Sequence, residues 1–280
     1  MNDQSQNIIL VTNGHPATKP SLEFGIYLAA SLKLPIRLLA VQESSDHEHP
    51  VEEAVTEMQT KMESSGIPFE VVNLTGNVED LVKEKSQNSC EMIILGPLGR
   101  PFIYQFIHGH SFRRFMEDLE VPILYVSDYQ LPVNKILVCM GGLGYAQEVL
   151  EKAIHLAKPI GASMTILHVV ENISLDYPLA HEVHDHWKDL MTTDTPQGRN
   201  LRKAMSELQE MNIENELILR HGNIISEIIE EINSGKYGLI CMGSMFSSKS
   251  IRHFALPNIT AEIAETVKYP ILSVRNCIDP

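Results

Sequence analysis

Cysteine is scarce and never closely paired in this chain. Cys90, Cys139, Cys241 and Cys277 are its four, and none forms a Cys-x-x-Cys spacing. That argues against a thiolate metal site or a disulfide framework. Cys139 and Cys241 lie inside apolar runs, where a thiol serves as a small hydrophobe, and the pattern fits a reducing cytoplasm. Aromatic residues are only 6% of the chain, so its cores are expected to be aliphatic. No window approaches about 18 uncharged apolar residues, so no membrane span is expected. The start MNDQSQN lacks the basic-then-apolar pattern of a signal peptide, so no targeting segment is expected either. Positive charge is also short: 22 Lys and Arg stand against 36 Asp and Glu, a formal charge of −14. Such a surface repels nucleic-acid phosphates and anionic membranes, so neither is an expected partner, although a local basic pocket could still hold a small anion. No Walker loop and no Gly-x-Ser-x-Gly nucleophile turn occurs.

What the chain does have is itself, twice. It is 280 residues long and 44% hydrophobic, enough for two ordinary domains. NIILVTNGH (7–15) matches NKILVCMGG (134–142), and RLLAVQE (37–43) matches TILHVVE (165–171). LTGNVEDLVKEKSQNSCEMIILG (74–96) matches RHGNIISEIIEEINSGKYGLICMG (220–243), and VPILYVS (121–127) matches YPILSVR (269–275). The order is the same in both halves, so a domain has been duplicated, with an insertion between Glu171 and Gly222 that includes the turn-rich TTDTPQGRN (192–200). The domains are expected at 1–130 and 131–280, with DYQLPVN (128–134) as linker. In the first repeat, apolar runs predict strands near 7–13, 35–41, 68–74, 91–96 and 122–126. Helical spacing predicts helices near 20–33, 50–65, 77–88 and 110–118. Strand–helix alternation with near-continuous apolar strands implies parallel, doubly wound sheets.

Ligands of such sheets bind at the carboxyl ends of the strands, where the winding reverses. In the first repeat that brings together TNGH (12–15) and GPLGRPFIYQFIHGHS (96–111). Glycines there would let backbone N–H groups approach an anion, and the helix opened by Gly109, His110 and Ser111 would add its N-terminal dipole. The alternative is a surface loop whose glycines only make turns.

A strand ending in Gly96-x-x-Gly99, nine residues, then Gly109 and a polar residue, followed by Pro-apolar-apolar-x-Val, resembles the universal stress protein family, in its tandem form, over nearly the whole chain. The resemblance implies two tandem doubly wound five-stranded parallel α/β domains. They are Rossmann-like and related to the adenine nucleotide alpha hydrolases. It also implies ATP, with Mg as its companion, in the first repeat. Gly96, Gly99, Arg100, Gly109, His110 and Ser111 would hold phosphates, with Arg113 and Arg114 nearby. Asn13, Gly14 and Val41 would meet the nucleoside. Asn13 stands where the family places an Asp, and His110 where it places Ser or Thr. The second repeat departs further: Gly243 keeps the first glycine, but Phe246, Pro257, Asn258 and Gly141 occupy the other motif positions. Proline has no N–H to give a phosphate. The resemblance also implies a stress-signalling role that is not primarily enzymatic, with slow hydrolysis left open. The two repeats would pair through their last strands, and a homodimer of chains is open too. The competing reading is a nucleotide-free scaffold that binds a protein partner.

Other features carry less. MGGLGYA (140–146) lacks the serines and Asp of a pyrophosphatase loop. Among twelve histidines, DHEH (46–49) and HEVHDH (181–186) each follow the second strand of their repeat; on a helix His181, His184 and Asp185 share one face and are a candidate for Zn or Ni, against a solvated acidic segment. SEIIEEI (226–232) reads as an amphipathic face with Ile228, Ile229 and Ile232 inward and the glutamates outward. The single Trp187 is expected to pack on its own domain.

Overall fold

A computed structural model describes residues 7–43, 48–86, 90–100, 111–141, 146–171, 187–244 and 259–275. These residues fall into two compact units. The first takes the chain up to Tyr129 together with the stretch from Lys268, and the second takes the chain from Gln130 through Val267 apart from a short internal stretch.

In the first unit, β1 (Ile8–Thr12), β2 (Ile36–Gln42), β3 (Phe69–Thr75), β4 (Met92–Leu95) and β5 (Ile123–Tyr125) run parallel in the order β3-β2-β1-β4-β5. IILVT and MIIL are buried at every position because helices cover both faces. The helices are α1 (Lys19–Leu32), α2 (Val51–Ser65), α3 (Val78–Lys85) and α4 (Ser111–Asp118). α1 packs on α2 and α3 on α4, one pair for each direction of winding. Their ends follow local chemistry. Gly66 closes α2 with φ 67°. The Asn77 side chain accepts from Asp80 N to open α3, with Glu79 and Asp80 in the first turn and Lys83 and Lys85 in the last. The winding reverses between β1 and β4, so the loops after them share one crevice. β10 (Ile271–Arg275), the fifth strand of the second repeat, pairs antiparallel with β5 through Leu272 opposite Leu124. Arg275 donates to the carbonyl of Leu119 at 2.8 Å.

The second unit repeats the frame. β6 (Lys135–Cys139), β7 (Ser163–Glu171), β8 (Asn215–Gly222) and β9 (Leu239–Ser244) run parallel in the order β9-β6-β7-β8. Its helices are α5 (Ala146–Ile160), α6 (Pro196–Glu210), α7 (Ile224–Ser234) and α8 (Ile259–Thr266). Asn223 caps α7 as Asn77 caps α3. One expectation is corrected here: Glu231 of α7 points inward. Tyr237 Oη donates to it at 2.7 Å and Arg220 Nε at 2.9 Å, so a charged partner and a phenol make burial tolerable. Trp187 stacks on His221 at 5.6 Å between ring centroids, within its own unit. Among the described residues, no helix is long and apolar enough to cross a membrane.

The chain leaving β5 is tied to α1. Tyr129 Oη donates to Glu23 Oε2 at 2.8 Å, and the Tyr129 ring lies 5.8 Å from Phe24. Tyr129→Phe should cost about 0.5–1.5 kcal/mol of stability in urea denaturation. A change under about 0.2 kcal/mol would mean that ring packing alone holds this segment.

Candidate functional site

The crevice of the first unit is built by the carboxyl ends of β1 and β2, the first turn of α3 and the loop after β4. Asn13 follows β1 and is 1% exposed. Both of its amide hydrogens are used: Nδ2 donates to Glu43 Oε2 at 3.0 Å and to the Leu98 carbonyl at 3.0 Å. Its Oδ1 accepts from His15 N at 3.3 Å. A nucleoside acceptor that sought the Asn13 amide hydrogens would therefore have to displace a bond already made.

Arg100 comes from the loop after β4. Its Nη2 meets Glu43 Oε1 at 2.7 Å and Glu79 Oε2 at 2.9 Å, and its Nη1 bonds Glu79 Oε1. The Arg100 side chain is 8% exposed and that of Glu79 3%. Burial works against the guanidinium charge, but Glu79 and then Glu43 more than compensate and hold its pKa above the usual arginine value. Arg113 and Arg114 were the other cations expected near a phosphate; Arg114 pairs with Asp80 at 2.9 Å on the surface.

The glycines have chain-internal reasons to be glycine. Gly99 has φ +67°, and a Cβ there would sit 2.1 Å from His15 Nδ1, because the His15 ring lies on its backbone. His15 Nδ1 accepts from Ala17 N at 3.1 Å, and its ring lies 4.5 Å from that of His49. Gly14, at φ +84°, lets the His49 carbonyl approach within 2.6 Å of where a Cβ would be. A Cβ on Gly96 would meet the Val126 carbonyl at 2.9 Å. Val41 is fully buried within β2, in register with Leu74 of β3. Ser111 is the first residue of α4. Gly109 and His110 lie outside the described residues, as do His181, His184 and Asp185, and Phe246, Pro257 and Asn258. Among the described residues, no group of three His, Cys, Asp or Glu could hold a metal ion.

The structure thus brings Asn13, Gly14, Gly99 and Arg100 to one crevice. It adds Glu43 and Glu79, which the sequence had not singled out, and sets His15 of TNGH beside His49 of DHEH. Glu43 had left a signal: it ends the RLLAVQE run that recurs in the second repeat as Glu171. Glu79 had left a weaker one, as the first-turn acid of a capped helix.

The second unit differs at the same place. Ile136 is in register with Met164 as Ile8 is with Ile36, so Gly141 corresponds to Asn13. Gly141 is exposed, with open space beside it. Just before it, the Met140 carbonyl contacts the ring of the buried His168 on β7, with Nδ1 at 2.8 Å. Gly243 accepts from Thr260 Oγ1 at 2.8 Å, which ties the strand end to α8.

Two predictions follow from this geometry. Arg100→Ala would take the guanidinium away from two largely buried carboxylates and should cost about 3–5 kcal/mol in chemical denaturation; a loss below about 1 kcal/mol would show the cluster to be well hydrated. His168 is held below its ordinary value of 6.5 by burial, with the Met140 carbonyl pulling the other way. Below that value the unfolded chain takes up a proton that the folded chain refuses. The histidine's contribution is therefore full above it and lost as the pH falls towards the folded value. His168→Gln should flatten the loss of stability between about pH 7 and pH 5, measured by urea titration at each pH; parallel curves would refute this.

Comparison with known proteins fits this architecture. A family model described as "Universal stress protein family" matches residues 132–275, more than half of the chain. Universal stress protein YxiE of Bacillus subtilis (strain 168) is 26% identical over 147 residues, spanning 51% of this chain and 99% of that protein. The crystal structure of a universal stress protein from Archaeoglobus fulgidus DSM 4304 superposes with a TM-score of 0.68 at 19% identity, covering 99% of this chain and 98% of that one. A putative universal stress protein from Pseudomonas aeruginosa UCBPP-PA14 gives 0.68 at 12% identity, with 98% and 94% covered. The repeated parallel α/β frame and the match over the second repeat together place this chain in the universal stress protein family.

Proposed function

We propose that this chain serves in stress response as a tandem universal stress protein whose N-terminal unit works as a nucleotide-free scaffold for a protein partner. The two repeats, 1–130 and 131–280, are its working domains, and the cytoplasm is its working place. One observation carries the reading: Arg100 is buried between Glu43 and Glu79, and Glu43 also holds Asn13. Glu79 and Glu43 already occupy the guanidinium that a phosphate tail would otherwise meet. The His15 ring meanwhile covers the Gly99 backbone that would cradle it. No catalytic step is assigned to the chain.

A second reading has its own support. Gly96 and Gly99 keep the phosphate-loop spacing, and Gly99 adopts the left-handed turn that such a loop uses. In that reading ATP with Mg enters the first repeat against Asn13, Gly14, Val41, Gly96, Gly99, Arg100, Gly109, His110 and Ser111, after Arg100 leaves its carboxylates.

Thermal denaturation separates the two. A site of about 50 µM affinity is worth ~2.7 kcal/mol at about 5 mM ligand. In a protein of this size that raises Tm by about 5 °C or more. We expect MgATP at about 5 mM to move Tm by less than about 1 °C. A rise that grows with the logarithm of ATP concentration would replace the scaffold reading with the nucleotide one.

A further inference from the structure

We propose that β3, the outer strand of the first unit, is the edge at which two copies of this chain join, antiparallel and about a two-fold axis at Val72. The join concerns a strand edge and not the crevice, so it holds or fails independently of the scaffold and nucleotide readings above.

Among the described residues, β3 pairs with β2 alone, in an unbroken parallel register from Ile36 opposite Phe69 to Gln42 opposite Thr75. An outer strand presents a row of backbone N–H and C=O groups, which proteins blunt with lysine, proline, bulges or a covering segment. FEVVNLT contains no proline, lysine or glycine, and its register shows no bulge. Its one charge, Glu70, is paired with Arg37 of β2 at 3.1 Å. Phe, two Val and Thr suit a strand that is paired on both sides. The second unit treats its own outer strand differently. β8 reads NELILRHG and carries Glu216, Arg220 and His221. Residues 187–192, from the insertion, pack against it with Trp187 stacked on His221. Access to β3 is open on both faces. Asn73 and Thr75 are exposed on the face shared with Ile36 and Leu38, and Glu70 on the face shared with Leu39. The covering helices stop short of these positions, so a second strand can come alongside.

A second copy suits this edge because the strand is complementary to itself. About Val72, Phe69 faces Thr75, Glu70 faces Leu74, Val71 faces Asn73, and Val72 faces its own copy, so the whole of β3 is paired. Moving the axis by one residue leaves part of the strand without a counterpart in β3. No like charges meet: the two Glu70 carboxylates stand about 13 Å apart along the strands, beyond a Debye length in physiological salt.

The test is sedimentation of the full chain under reducing conditions. An edge of this length makes a small interface, so association is sought from about 1 to about 200 µM. Wild type should rise from the monomer's 31.4 kDa towards twice that mass. Val72→Lys sets two ammonium groups opposite each other on the axis and should weaken association at least about tenfold. Val72→Cys gives a positional readout. Directly opposed antiparallel residues have Cα atoms about 4.5–5.5 Å apart, within disulfide reach, so oxidised glutathione should link two copies through position 72. Thr75→Cys, whose counterpart lies about 20 Å away, should not link beyond the wild-type background. A chain that stays monomeric throughout overturns the proposal. So does a dimer that tolerates Val72→Lys, or one that links no more readily through Val72→Cys than through Thr75→Cys, because another surface then holds it. Should Val72→Lys fail to fold, Asn73→Lys, at an exposed position beside the axis, must weaken association several-fold; unchanged association overturns the join.

Discussion

A guanidinium buried between two carboxylates organises the functional end of the first unit. Burying a charge is costly unless hydrogen-bonded partners of opposite sign surround it. Arg100 satisfies that condition with Glu79 and Glu43, and Glu43 extends it to Asn13. The four residues belong to four separate segments, so their mutual dependence fixes the positions of the strand ends on which any ligand site in this fold relies. The same bonds that fix those positions use up the donors a ligand would need. Rigidity and availability are in conflict at this crevice, and its geometry resolves the conflict in favour of rigidity.

The glycines illustrate the same conflict. A glycine after β4 permits a close approach, and the motif is indifferent to what approaches. In this chain the His15 ring rests on Gly99 and the Val126 carbonyl on Gly96. The His49 carbonyl rests on Gly14 in the same way. Each of these three glycines is thus required by packing, whether or not a ligand binds. A glycine motif read without its neighbours therefore points equally to a cradle and to a tight turn.

This explains which parts of the protein were legible in the sequence. Strands such as IILVT and MIIL announce themselves because covering helices make every position apolar, and α1 to α4 follow from helical spacing and local caps. Those signals are local. Arg100 meets Glu79 and Glu43 across long stretches of chain, and no local pattern encodes that meeting. Glu231 failed for a related reason. A glutamate that follows another glutamate on α7 looks solvent-facing until Arg220 on β8 and Tyr237 beyond the helix are brought against it. What the sequence withheld in both cases was the partner of a charge. Recurrence between the repeats was the one non-local clue available, since Glu43 returns as Glu171.

The two repeats solve one problem by different chemistry. A parallel strand ending inside a protein leaves backbone groups that need partners. After β1, Asn13 takes up the Leu98 carbonyl and the His15 amide. After β6, the corresponding residue is Gly141, with no side chain to offer, and the preceding carbonyl of Met140 is met instead by the His168 ring from the neighbouring strand. His168 occupies a core position that is apolar in the first repeat, where Ala40 stands in the equivalent register. The duplicated frame is therefore conserved as backbone while its strand ends are closed by unrelated side chains. Divergence of that kind follows when selection holds the sheet and the crevice residues are free to answer only to their immediate neighbours.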